Sequence, residues 1–308
     1  MEPSGAVTIL LCTCNGERYL PAQLDSIEAQ DYKHWRVLAS DDGSRDNTRN
    51  ILEKYRRRWG DDRLEIFAGP ALGYVANFLF VTQQAGTTGN YAWADQDDLW
   101  ETHKLKTAVE RLGETSPDTP ALYCSRTRIV DADGRAIGFS PLFTKQPSFA
   151  NALVQNIAGG NTMVFNNAAR ELLLETTSRA DIVIHDWWLY LVVSGCGGRI
   201  HYDPHPTVRY RQHDRNEIGI SNGWADRASR LRMMLRGRYK NWNDRNIKAL
   251  QNLIFRLTPE NRKILEKFAA ARKRWLLPRL IGMKRSGVYR QMMAENLGLV
   301  AAVALKKI

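Results

Sequence analysis

No apolar run in this chain of 308 residues reaches the roughly 20 residues that a membrane-spanning helix needs. The first residues lack the basic-then-apolar pattern of an export signal, and Val7-Thr-Ile-Leu-Leu11 has only the length of a strand. Cysteine is scarce. The four positions, Cys12, Cys14, Cys124 and Cys196, have spacings that suit neither a zinc site nor a disulfide framework. These absences lead us to expect a reducing, cytoplasmic compartment. No GxGxxG follows the first strand-like run, and no GxxxxGK[ST] occurs, so the dinucleotide fingerprint and the P-loop are both missing. A nucleotide bound here would have to be held by carboxylates and a metal rather than by a glycine cradle. There is no internal repeat and no low-complexity segment.

What is present is unevenly charged. The net charge is +11, but from Ala225 to Ile308 there are 21 Lys/Arg against 5 Asp/Glu, a net +16, so residues 1–224 carry −5. We therefore expect two regions, 1–224 and a basic helical extension, 225–308. An anionic membrane surface or a nucleic acid would each suit such a region. Leu231, Met234, Leu235, Leu276, Leu277 and Ile281 are interleaved with Arg and Lys in the manner of helices that lie on an anionic bilayer. The alternative is a helical subdomain packed on the body with a solvated basic face. Tyr239, Trp242 and Trp275 would suit stacking on single-stranded bases. However, no nucleic-acid reading motif accompanies them and the acidic body repels phosphates, so nucleic acid is not the expected partner.

Along the first hundred residues strands alternate with helices. Val7 to Cys12 is β-rich and ends in a turn at Thr13-Cys14-Asn15-Gly16. A helix over Glu17 to Gln30 sets Leu20, Leu24 and Ile27 on one face, with Pro21 tolerated in its first turn. Trp35 to Ala39 is the second strand, and Ser44 or Asp46 caps the next helix, with Ile51, Leu52 and Tyr55 inward. Leu64 to Phe67, a helix after Gly73 and a strand over Tyr91 to Ala94 follow. The short turns imply right-handed βαβ crossovers and a mostly parallel sheet. Further on, Leu122 to Val130 is strand-like, Asp131 to Gly134 is a hairpin turn, and Asn166 caps a helix after a strand at Thr162 to Phe165. Trp187 to Val193 is helical, and Arg199 to Tyr202 and Thr207 to Gln212 are two more strands.

Ligands of such sheets bind where strands end at their carboxyl side. Cys14-Asn15, Asp41-Asp42 and Asp95-Gln96-Asp97-Asp98 all fall there. Three carboxylates within four residues repel one another unless a cation sits among them, and a hard divalent ion with oxygen ligands is the simplest one. The plain alternative for both acidic pairs is a solvated turn that opens the next helix. Cys12 and Cys14 read as small packed side chains.

Six segments in this order resemble the family 2 glycosyltransferases. They are Val7 to Leu20, Ser40-Asp-Asp-Gly-Ser44, Gly73-Tyr-Val-Ala-Asn77-Phe78, Asp95-Gln-Asp-Asp-Leu-Trp100, His185-Asp-Trp-Trp188 and Tyr210-Arg-Gln-His213. The resemblance spans about residues 5 to 220 and is similar in detail to bacterial rhamnosyltransferases that use dTDP-rhamnose for surface polysaccharides. It implies a GT-A fold, an α/β architecture with a mostly parallel sheet flanked by helices. It also implies Mg²⁺ or Mn²⁺, a nucleotide-diphosphate sugar donor and a glycan or lipid-linked acceptor. By the same resemblance Asp186 is the general base. Thr13, Asn15, Glu17, Asp41, Asp42, Gly73, Asn77, Asp95, Gln96, Arg211 and Gln212 are expected at the donor nucleotide. Asp95, Asp97, Asp98 and His213 are expected at the metal, with either the Asp95–Asp97 pair or Asp98 as the direct ligand. Gly160, Asn161, Trp187 and Trp188 are expected at the acceptor. Asp186 read without the resemblance is a helix N-cap followed by two core tryptophans, and Gly160-Asn161 is a turn. Ala71 departs from the family, where Asn usually precedes the Leu-Gly pair. Two other classes were weighed. A metal-dependent nucleotidyltransferase would need a basic phosphate-gripping loop, and only Arg18 is near; a noncatalytic nucleic-acid binder would rely on the C-terminal region. The expected location is cytoplasmic, at the inner face of the membrane if the C-terminal region binds lipid.

Overall fold

The computed structural model describes residues 5–87, 89–157, 159–177, 181–213 and 236–308. Strand β1 (Val7–Thr13) is buried along its whole length, as a run covered on both faces must be. It pairs in parallel with β2 (Trp35–Asp41) on one side and β4 (Asn90–Asp95) on the other, and β3 (Leu64–Ala68) extends the sheet beyond β2. The crossovers are the helices α1 (Leu20–Glu28), α2 (Thr48–Trp59) and α3 (Tyr74–Gln84). In this register Thr13 lies opposite Asp41 and Cys12 opposite Asp95, so the three polar turns leave the sheet at one level.

The first helix is shorter than its apolar periodicity suggests. The N–H groups of Tyr19 and Leu20 both donate to the carbonyl of Gly16, closing a turn before Pro21. Glu17 leaves the helix to accept from the Asn47 N–H (3.0 Å). At the start of α2, Asp46 accepts from the Thr48 N–H (3.0 Å), while Ser44 is drawn away to Asp41.

The sheet continues as β3-β2-β1-β4-β8-β6-β9-β5, with β7 on β6. Strand β8 (Val164–Asn166) runs antiparallel to β4 and to β6 (Ala121–Val130), and β6 is parallel to β9 (Arg199–Arg211). The two-residue β5 (Leu99–Trp100) lies antiparallel on β9 and carries the chain away from the acidic cluster. β9 is one strand where two were expected. Pro204 and Pro206 cannot donate to the ladder, and the irregularity between Ser125 and Thr127 absorbs them without ending the pairing. The hairpin to β7 (Ala136–Phe139) turns at Asp131, whose carboxylate accepts from the N–H groups of Asp133 and Arg135 (2.9 Å each). After α4 (Lys104–Gly113) and the short α5 (Phe149–Ala152), α6 (Asn167–Thr177) starts with Asn166 accepting from the Ala169 N–H (3.0 Å). The fully buried α7 (His185–Gly195) follows.

The C-terminal region folds as α8 (Arg238–Gln251), α9 (Pro259–Lys273), α10 (Leu276–Ser286) and α11 (Met293–Ala304). These helices pack on the body: Leu250, Leu265, Phe268 and Val303 lie in one hydrophobic cluster with Phe149 and the α7 residues Trp187 to Val193. Leu231, Met234 and Leu235 lie outside the described residues.

The loop between β3 and α3 stores strain. The Asp42 carboxylate accepts from the N–H groups of Ala71 (2.6 Å) and Gly73 (2.9 Å), and this turn holds Ala71 at φ +55°. A left-handed conformation costs an L-residue about 1–2 kcal/mol, which Gly and Asn largely escape. We expect Ala71→Gly to raise stability by about 0.5–1 kcal/mol after the extra chain entropy of glycine is subtracted. A chemical denaturation midpoint checks this; a lowered midpoint would show that the Ala71 methyl contributes more than the strain it carries.

Candidate active site

The ends of β1, β2 and β4 are tied by side chains that imitate backbone. The Gln96 amide accepts from the Cys14 N–H (2.8 Å) and donates to the Cys14 carbonyl (3.0 Å), locking the first turn to the acidic one. Gly16 makes room for this: a Cβ there would lie 2.1 Å from Gln96 Oε1. Asp41 accepts from the Thr13 hydroxyl (3.0 Å) and from the N–H and hydroxyl of Ser44. Asn15, at φ +50°, accepts from the Arg45 N–H (2.8 Å).

Several residues expected at the donor are thereby committed to the scaffold. Thr13 is buried under Asp41. Asn77, also buried, exchanges hydrogen bonds with the hydroxyl (2.5 Å) and carbonyl (3.0 Å) of Ser40, pinning α3 to the end of β2. Both oxygens of Asp42 hold the Ala71–Gly73 turn, and Glu17 holds the start of α2. These four, with Asp41, shape the turns, and the surface left at this edge is formed by Asn15, the turn at Gly73 and the bridge at Gln96.

Asp95, Asp97 and Asp98 do different things. Asp98 is buried, accepting from the Asn161 amide (2.5 Å) and from the Arg211 N–H (3.2 Å). Asp98, expected as the alternative direct metal ligand, here uses one oxygen to hold the loop at Asn161 and the other to hold β9 at the end of β4. Asn161, expected at the acceptor, is buried in that same contact. The Asp97 carboxylate accepts from His213 Nε2 (2.9 Å), and the His213 ring stacks on Tyr19 (4.9 Å between centroids, 19° between planes). His213 is thus placed to orient Asp97. Arg211 donates from Nε to the Asp97 carbonyl (3.0 Å) and from Nη1 to the Ala132 carbonyl (2.8 Å), with its guanidinium 4.8 Å from the Tyr19 ring centre. Gln212 continues the pairing through its N–H to the Val130 carbonyl (2.8 Å).

Burial is the first cause that drives the Asp95 carboxyl well above the usual range, and the charges of Asp98, Asp97 and Asp186 add to it. Asp98 is pushed up to about 7, first by burial and then by Asp97. Lys104 is fully buried beside them. It donates to the carbonyls of Asn161 (3.1 Å) and Thr162 (3.2 Å), lies over the Trp100 ring at 4.7 Å, and is lowered to about 7 by desolvation. Nothing in the sequence separates this lysine from the many solvated ones, so its part in the site was invisible there.

Asp186 stands in the first turn of α7 and accepts from the Gly160 N–H (3.0 Å) and its own neighbour, the Trp187 N–H (2.5 Å). Burial raises it to about 6 against these hydrogen bonds. Gly160 therefore holds the carboxylate. The tryptophans expected to wall an acceptor pocket are instead core residues. Trp187 donates to the Ala152 carbonyl (2.7 Å) and Trp188 to the Thr176 hydroxyl (3.0 Å). His185 was quoted in a motif but given no role. Its ring stacks on Phe78 (4.3 Å), meets Trp93 edge-on (4.7 Å), and has no hydrogen-bond partner at either nitrogen among the described residues. Desolvation holds it neutral, at about 3.

Among the described residues no three His, Cys, Asp or Glu side chains gather into a protein-only metal cage. A divalent ion of the magnesium type takes one or two carboxylates and completes its shell with substrate phosphates and water. Asp95 fits that requirement, since burial and the neighbouring carboxylates disfavour its charged form, and Asp97 offers a second carboxylate two residues on.

Residues 8–173 match the profile of glycosyl transferase family 2. The dTDP-rhamnosyl transferase RfbG of Shigella flexneri is 26% identical over 237 residues, covering 72% of this chain and 78% of that protein. The S. aureus TarS 1-349 structure in complex with UDP-GlcNAc superposes with a TM-score of 0.56 at 16% identity, over 92% of this chain and 93% of that one. The mannosyltransferase PcManGT of Pyrobaculum calidifontis, in complex with GDP-Man and Mn²⁺, gives 0.53 at 16% identity, over 97% and 73%. The shared architecture is the GT-A fold, and with more than half its length matched to the profile the chain belongs to glycosyl transferase family 2.

Proposed function

We propose that this protein transfers a sugar from a nucleotide diphosphate donor to a glycan or lipid-linked acceptor in the synthesis of a cell-surface polysaccharide, with inversion at the anomeric carbon. Rhamnose from dTDP-rhamnose is the donor we favour, because a relative matched over most of both chains is a dTDP-rhamnosyl transferase. The observation that carries the reading is that Asp186 and the acidic cluster are held by adjacent residues: Asp186 accepts from the Gly160 N–H (3.0 Å) and Asp98 from the Asn161 amide (2.5 Å). A proton acceptor and a diphosphate-binding edge are what a one-step displacement requires on either side of the sugar.

In that step the acceptor hydroxyl oxygen forms a bond to the anomeric carbon. The bond from that carbon to the diphosphate oxygen breaks, and the nucleoside diphosphate leaves with the electron pair. Asp186 receives the hydroxyl proton as a general base. A carboxyl raised to about 6 is well matched to this task near neutral pH, being ionised yet more basic than a solvated aspartate. Asp95 and Asp97 would hold the Mg²⁺ or Mn²⁺, which when bound neutralises charge building on the leaving diphosphate. His213 and the stacked Tyr19 fix Asp97, and Arg211 fixes the Asp97 peptide. The nucleoside end is placed at the Asn15, Gly73 and Gln96 edge. Turnover of dTDP-rhamnose compared with UDP-glucose, in Mn²⁺, tests the donor; a preference for UDP-glucose would reject rhamnose.

The sign of the pH dependence follows from the base. Asp186 is active only when ionised, so kcat/KM should fall tenfold per unit below about pH 6 and level off above it. Asp186→Asn should lose transfer by at least about 100-fold while nucleotide binding persists. Loss of donor affinity in that variant, or an unchanged acid limb, would move Asp186 out of this role.

Asp97→Ala should keep its melting midpoint yet lower turnover by about two to three powers of ten, the size of a lost leaving-group stabiliser. EDTA should abolish activity in the unaltered protein and Mn²⁺ should restore it. Full turnover in EDTA would remove the metal from the mechanism.

A further inference from the structure

The outward face of the last helix carries no charge. On α11, Leu299, Ala302 and Val303 point into the core. Met293, Leu297 and Val300 face outward at 84%, 70% and 54% exposure, spaced as one helical stripe. Glu295, the one carboxylate of the helix, is occupied by Gln155 (2.9 Å) and Arg290 (3.6 Å). The neighbouring α10 exposes Leu276, Leu277 and Ile281, and Trp275 precedes it at 65% exposure. Lys273, Arg274, Lys284, Arg285 and Lys306 are exposed around these side chains, and beyond Lys267 the sequence has no acidic residue except Glu295.

A soluble surface rarely presents so many large apolar side chains together unless something covers them. The occupant must accept apolar side chains and offer negative charge at the rim. A second copy docked by two-fold symmetry would set these cations against one another. An anionic bilayer meets both demands, with acyl chains for the stripe, phosphates for the cations and an interfacial level for Trp275. We propose that α10 and α11 form a docking surface for an anionic lipid bilayer. This stands apart from the sugar-transfer reading, since no residue of the strand-end site belongs to it.

The experiment is flotation of the full chain with phosphatidylcholine vesicles, with and without phosphatidylglycerol. Recovery is expected with the anionic vesicles alone, decreasing as salt rises. Lys284→Gln with Arg285→Gln should weaken binding about 30-fold, roughly fivefold per cation. Leu297→Glu with Val300→Glu should abolish it at an unchanged melting midpoint, and Met293→Glu serves if that pair fails to fold. All variants should keep donor turnover with a water-soluble acceptor, so that loss of docking is distinguishable from failure of the catalytic reading. Equal recovery with neutral and anionic vesicles, or undiminished recovery of the glutamate variants, overturns the proposal. So does a dimer that disappears in those variants while vesicles bind nothing, which would assign the face to a second copy.

Discussion

Repulsion among carboxylates crowded at the end of one strand is the constraint that organises this protein. Asp95, Asp97 and Asp98 leave β4 together, and Asp186 faces them from α7. The fold answers unevenly. Asp98 receives Asn161, the Arg211 N–H and the nearby charge of Lys104, while Asp95 is left with burial and three like charges. A buried charge stripped of its partner costs about 3–5 kcal/mol, so the Lys104, Asn161 and Asp98 group is where the two halves of the sheet are fastened.

Much of this was legible in the sequence, and the limit has a physical form. Periodicity found β1, β2 and β4 because they read as continuous apolar runs, but it stopped them at Cys12, Ala39 and Ala94, short of the polar ends at Thr13, Asp41 and Asp95. The order of motifs placed the site at one sheet edge for the same reason. Periodicity does not tell which oxygen of an aspartate is already used. Asp42 and Asn77 look identical in sequence whether they meet a nucleotide or, as here, hold Ala71 and Ser40. Likewise Trp187 and Trp188 follow a helix start, where an exposed wall and a core anchor have the same spelling; the contacts to Ala152 and Thr176 decide it.

The basic C-terminal region shows how composition and packing divide the work. Its charge excess suggested a separate element, yet its apolar residues enter the same core cluster as α7, the helix that carries Asp186. Arg279 is buried and donates to the Val303 carbonyl (2.7 Å), so one of the cations counted toward the surface excess joins α10 to α11 instead. The helices thus pack against the helix that carries Asp186 while turning several of their remaining cations outward.

The two raised carboxyls nearest neutrality, Asp98 and Asp186, illustrate why geometry must precede pKa in assigning chemistry. Both are lifted chiefly by burial. Asp98 is tied to side-chain and backbone groups from two other elements, so removing its proton-binding site would loosen the join between β4 and β9. Asp186 is met by the backbone N–H groups of Gly160 and Trp187, which stabilise its anion without consuming a structural contact between distant strands. A base must cycle between charged and neutral forms in every turnover. In the proposed reading that group is Asp186, because each of its oxygens keeps a lone pair beyond the one its backbone N–H partner uses.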